Sequence, residues 1–160
     1  LDKVVELAYP SYKSKDKMDD WYILILLHYL DLADGTPLYH QAVHFGELKD
    51  GLIRGSRFDK TVEREFASFL SDKKDEDIIN LCKSLGGEII KSKFDLSVVF
   101  YLFPNYPVTL NIWFADDEFG AVGSMLVDKS ADNYLTIEDD VVAGEFMLRY
   151  IFERYNELYM

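Results

Sequence analysis

The spacing of apolar residues changes several times along the chain, and each change marks an element. Val4, Val5, Leu7 and Tyr9 alternate loosely, predicting a short strand within residues 1–10. Lys13-Ser14-Lys15-Asp16-Lys17 then reads as a charged loop or hairpin tip. Residues 19–33 predict a helix, with Asp19 as N-cap and Asp34-Gly35 followed by Pro37 as the stop. Between Trp21 and Leu32 it is almost wholly apolar, so it is expected to be buried on most sides and to form the centre of the core. Residues 36–55 show no sustained period and predict an ordered connection with one short strand at 42–45. Phe58, Val62, Phe66, Phe69 and Leu70 recur at three- and four-residue spacing, the mark of an amphipathic helix over 57–70. Ile78, Ile79, Leu81, Cys82 and Leu85 define another at 75–85, stopped by Gly86-Gly87.

From residue 88 the texture becomes β-branched and aromatic, with strands expected at 88–91, 96–103, 108–115 and 123–128. Their connections are too short for parallel crossovers, which predicts an antiparallel meander. Thr136, with Asp139 three residues on, is a capping-box-like start for a final helix over 138–157. The fold class is therefore α+β: a meander over about 88–128 packed on one face against helices at about 19–33, 57–70, 75–85 and 138–157.

Length and composition support one domain: 160 residues, 49% hydrophobic, with 24 Phe, Tyr and Trp side chains to fill a core. Charge narrows the partners. The net charge is −12, and residues 104–148 hold nine acids against Lys129 alone. Such a surface repels phosphate backbones, so neither nucleic acid nor an anionic membrane is expected as a partner. No apolar run approaches the ~20 residues of a transmembrane helix. Cys82, the single cysteine, cannot form an internal disulfide or supply a four-thiolate cluster, and it points to a reducing, cytoplasmic setting. The chain begins at Leu1 without a methionine, so the natural start is expected upstream.

Candidate chemistry is sparse. His28, inside the most apolar helix, reads first as a core histidine bonded to a neighbour and second as an acid or base. His40 and His44 have a metal-like spacing but lack a helical period and a third ligand. Asp116-Asp117-Glu118 suit a turn and Glu138-Asp139-Asp140 a helix start; with Asp128 they would hold a hard cation only if they converged. Arg57, Lys60 and Arg64 form a basic stripe that reads as a solvated face, with an anionic ligand as the alternative. Cys82 reads as inert core. No phosphate-binding glycine loop or hydrolase elbow is present.

The order of short signatures, from Leu26-Leu27-His28-Tyr29-Leu30 through Asp34-Gly35-Thr36-Pro37-Leu38, Phe45-Gly46-Glu47-Leu48, Leu85-Gly86-Gly87 and Tyr106-Pro107-Val108 to Trp113-Phe114-Ala115-Asp116-Asp117-Glu118-Phe119 and Asp128 to Asp139, resembles a prokaryotic family of unknown function. That family is common in anaerobes and sometimes labelled an iron-sulfur protein. The resemblance implies no reaction, and Cys82 alone implies no cluster, so no cofactor is expected. It does single out His28, Thr36, Glu47, Trp113, Asp116, Glu118, Asp128 and Glu138 as polar signature residues, which would act together only if they lined one cleft. The expected function is a non-catalytic binding or accessory module for a protein partner or small ligand. The alternative is a small enzyme or cofactor-handling domain using His28 with Glu47, Asp116 and Glu118.

Overall fold

The computed structural model describes residues 5–8, 11–14 and 20–160. Strands β1 (Val5–Ala8) and β2 (Ser11–Ser14) pair as an antiparallel hairpin, so the strand expected in residues 1–10 is there and Lys13 and Ser14 belong to its partner. The proposed cap at Asp19 lies outside the described residues. Helix α1 (Asp20–Leu32) follows, then β3 (Ala42–Val43), a 3₁₀ turn at Phe45–Glu47, α2 (Gly51–Leu70) and α3 (Asp75–Ser84). The meander comprises β4 (Glu88–Ile89), β5 (Leu96–Phe103), β6 (Tyr106–Trp113) and β7 (Val122–Asp128). A second 3₁₀ turn, Lys129–Asn133, leads into α4 (Ile137–Tyr159).

The five-stranded sheet is antiparallel in the order β3-β7-β6-β5-β4. It is an α+β fold, with the main core on one face of the sheet. Val98, Phe100, Val108, Leu110, Ile112, Met125 and Val127 point inward and are buried, while Tyr101 and Val122 on the sheet are exposed. Against the buried row pack Phe58, Val62, Phe66 and Leu70 of α2, four residues apart along one stripe, and Val141, Met147, Leu148, Ile151 and Tyr155 of α4. Among the described residues no helix is long and apolar enough to cross a membrane.

Three expectations need correction. Helix α2 begins at Gly51, six residues before the period became readable, because its first turn is selected by close approach rather than by an apolar stripe. A Cβ on Gly55 would lie 2.2 Å from the carbonyl oxygen of Phe45, so only glycine lets the helix start against the 3₁₀ turn. Strand β6 starts at Tyr106, two residues before the expected 108. Residues 104 and 105 make the tight turn, with Asn105 at φ 57°, and the β5–β6 register shifts between Tyr101 and Phe103. Pro107 lies opposite Tyr101 at that irregularity, where its missing N–H is accommodated.

The third correction is α1. Only Ile23, Ile25 and Tyr29 are buried in it, and Leu26 is only partly so. Trp21, Leu24, Leu27, Leu30 and Leu32 are 38–61% exposed. The core is therefore centred on α2, α4 and the sheet, and α1 lies at its margin. The periodicity that normally tells a helix which face to bury is lost when every face is apolar.

Candidate functional site

The sheet has two ends, and the eight signature residues divide between them. Strand β7 carries Val122 opposite Trp113 at one end and Asp128 opposite Ala42 at the other. At a rise of about 3.3 Å per residue, those ends are roughly 20 Å apart. Trp113, Asp116 and Glu118 belong to the first; His28, Thr36, Glu47, Asp128 and Glu138 belong to the second, around the start of α4. One cleft does not hold all eight.

At the α4 end several carboxylates are committed to backbone. Asp128, 7% exposed, accepts N–H bonds from Tyr39 (2.9 Å), Gln41 (3.0 Å) and Ser130 (3.0 Å). Burial alone would raise its pKa, but the bonds from Ser130, Tyr39 and Gln41 outweigh that and hold it below the ordinary carboxylate value. Glu47 accepts the His44 N–H at 2.8 Å, closing the 3₁₀ turn, and Asp59 of α2 accepts the N–H groups of Phe45 and Gly46 at 3.0 and 2.9 Å. The Thr36 carbonyl accepts the hydroxyl of Tyr134, and Glu138 meets Arg54 at 3.2 Å. Asp34, Lys49, Asp132 and Thr136 converge on a shallow cleft of about 320 Å³.

His28 is not a core histidine. Its side chain is 44% exposed, and its Nδ1 lies 2.9 Å from Oδ1 of Asp139. The other oxygen of Asp139 accepts the hydroxyl of Thr136 at 2.7 Å, and Thr136 in turn caps α4 through the Asp139 N–H. This is the capping-box-like start read from the sequence, with the Asp139 carboxylate accepting the Thr136 hydroxyl rather than its backbone N–H, extended by an imidazole from α1. A carboxylate at Nδ1 favours the tautomer whose Nε2 can accept a proton. Glu47, Asp116 and Glu118, the acids expected beside His28, are instead engaged elsewhere or at the far end. Sequence reasoning also missed Tyr106. Its hydroxyl donates to Asp140 Oδ1 at 2.5 Å; Asp140 is wholly buried, and its Oδ2 has no partner. Burial, opposed by the Tyr106 bond and reinforced by Asp132 and Asp139, pushes Asp140 up to about 7. No spacing rule separates Asp140 from the acids beside it.

The other end is more open and more aromatic. A groove of about 720 Å³ is lined by Trp113, Phe114 and Phe119 with Ile79 of α3, and rimmed by Asp75, Asp95 and Asp116. No Lys or Arg is among its lining residues. Trp113 is 40% exposed and Phe119 71%. The loop is held by its own acids: Asp116 Oδ1 accepts the N–H of Glu118 (2.8 Å) and of Phe119 (2.7 Å), and Asp95 Oδ2 accepts that of Phe114 (2.9 Å). The two backbone bonds keep Asp116 below the ordinary carboxylate value, hence charged near neutrality. Phe94 supports Trp113 with ring centres 5.3 Å apart. Asp75, Asp95 and Phe119 were not expected here, although Phe119 lies within the signature that begins at Trp113.

The remaining candidates are plain. Arg57, Lys60 and Arg64 are exposed along α2. Cys82 is buried, and burial pushes its thiol up to about 12, leaving no reactive thiolate. Among the described residues no three His, Cys, Asp or Glu side chains gather where a metal ion could be held. No curated protein and no solved structure matches the chain. A family does match, over residues 1–150, and the chain belongs to it: the domain of unknown function DUF3786.

Proposed function

We propose that this domain is a non-catalytic binding module, and that its ligand is a cationic group on an apolar stem, an alkylammonium or guanidinium, received in the aromatic groove at the Trp113 end. The observation that carries this reading is the pairing of exposed Trp113 and Phe119 with the rim acids Asp75, Asp95 and Asp116, without a base among the lining residues. Aromatic faces attract cations through their quadrupoles, by ~0.5–2 kcal/mol per contact, and the carboxylates add a field of the same preference. The stem would cover apolar surface that water now wets. The groove contains no positioned nucleophile or proton donor beside its acids, which favours recognition over reaction.

The test uses the fluorescence of Trp113 in a Trp21→Phe background. Tetraethylammonium and short peptides ending in Arg or Lys should quench it saturably, and a Glu-bearing peptide should not. Phe119→Ala should weaken the response with the melting temperature unchanged. Equal responses to acidic and basic peptides, or none up to millimolar probe, would sink the reading.

A second reading keeps His28 as an acid–base group, favoured by its half-exposed ring and the Asp139 bond. It predicts that His28→Gln removes any proton-transfer activity that the folded chain shows toward small esters or enolisable ketones. An activity unchanged by that substitution would exclude the residue.

A further inference from the structure

The rim acids of the Trp113 groove come from three separate elements. Asp75 opens α3, Asp95 immediately precedes β5, and Asp116 lies in the loop after β6. Two of them are fixed by the backbone: Asp95 accepts the N–H of Phe114, and Asp116 accepts those of Glu118 and Phe119. They are thereby kept at the rim rather than left to swing apart and relieve their repulsion. The surface they share is apolar, with Trp113, Phe114 and Phe119 lining the same groove.

Two kinds of cation answer to three carboxylates. A metal ion needs them drawn around one point, and among the described residues no three His, Cys, Asp or Glu side chains gather in that way. A cation whose charges are spread along a hydrocarbon chain needs the opposite arrangement, acids set apart over an apolar floor. The groove has that form and, at about 720 Å³, room for more than one ammonium group. Neighbouring bases do not answer the acids from within. Lys73 is turned to Phe69, Tyr155 and Asp72, Lys93 lies over Phe94, and neither they nor Lys74 line the groove. The segments that build the mouth, 72–77, 91–95 and 113–119, hold eight acids against four lysines. A single lysine or arginine side chain would bring one charge and leave two of the three rim acids unanswered. Resting on the reading of this groove as a cation site, we propose that its ligand is a linear polyamine, two or more ammonium groups joined by methylene chains, with the methylenes on the aromatic floor and the ammoniums at different rim carboxylates. Because the charges are linked, each contact after the first is intramolecular and adds to the affinity.

The experiment titrates the full chain carrying Trp21→Phe with spermidine, 1,4-diaminobutane, butylammonium and Mg²⁺, followed by Trp113 fluorescence and calorimetry. Spermidine should bind one to one and about tenfold or more tighter than butylammonium, with the diamine between them. Equimolar Mg²⁺ should not displace it. Asp95→Asn, which keeps an oxygen for the Phe114 N–H, and Asp75→Asn should each move the spermidine affinity toward that of butylammonium. Phe119→Ala should weaken both amines, and Glu63→Gln, which removes one exposed charge elsewhere on α2, should change neither. Equal affinities for spermidine and butylammonium would overturn the polyamine while leaving the cation reading of the groove standing; binding of neither would sink both. Equal weakening by Glu63→Gln and Asp95→Asn, or displacement by equimolar Mg²⁺, would show general attraction to a chain of charge −12 and would overturn the proposal too.

Discussion

At the α4 end of the sheet three aspartates point inward, and at the Trp113 end the acids face water. Asp128, Asp139 and Asp140 are 7%, 9% and 0% exposed, and their oxygens satisfy loop N–H groups, a capping hydroxyl, an imidazole and a tyrosine. Asp116 and Asp95 also accept backbone N–H bonds, but at an exposed rim, where water would replace them. One end is therefore a structural knot joining α1, the 36–48 segment and α4. The other is a rigidified aromatic mouth. The same residue type serves folding where the chain closes over it and remains available for recognition where it does not.

The sharpest way to break this contrast is Asp128→Ala. Removing a buried carboxylate that satisfies three N–H groups should cost on the order of 3 kcal/mol in denaturant unfolding. Asp116→Ala at the far end should leave the denaturation midpoint unchanged. Equal losses would mean that the two ends are not different in kind.

Next in size is the pH dependence of the knot. Asp140 is held neutral in the folded chain up to about 7, whereas its ordinary value is 3.8, so between those values the folded state carries a proton the unfolded state lacks. The stability it contributes is full below the lower value and is lost as pH rises through the higher one. Asp140→Asn should therefore lose stability less steeply with pH than the parent between about pH 4 and 7, the difference levelling off above about 7. Tyr106→Phe removes the bond that favours the charged form, so the decline should move to higher pH. A carbon-13 titration of the Asp140 carboxyl with a midpoint near 4 would contradict both expectations.

His28→Ala should cost less, about 1 kcal/mol, because the ring is half exposed and water can replace it at Asp139. Smallest is Phe119→Ala, expected to be silent in stability while weakening cation binding. A substitution silent in both measurements would remove the groove from consideration.

Much of the fold was legible in the sequence. The four-residue stripe of α2, the β-branched runs and the Thr136 cap are local patterns, and each formed near its expected place. Less of the candidate site was readable. Asp128 and Asp116 are both acids beside a strand end, and nothing within a few residues of either says that Asp128 will be enclosed by Tyr39 and Gln41, nearly ninety positions earlier. His28 was misplaced for the same reason as α1: in a helix apolar all round, no local feature identifies the face that stays in water.

By itself, then, the sequence determined where helices and strands form, that they compose an antiparallel α+β domain, and that Cys82 is core. Periodicity, capping and turn chemistry act over a few residues and are written there directly. Only the tertiary structure decided which acids are buried, that His28 meets Asp139 across 111 positions, and that Trp113 and Phe119 open onto an acid-rimmed groove while α1 keeps apolar side chains in water. Those outcomes depend on which distant segment closes over a residue, and burial sets whether a carboxylate is a structural acceptor, a neutral acid or a charged rim.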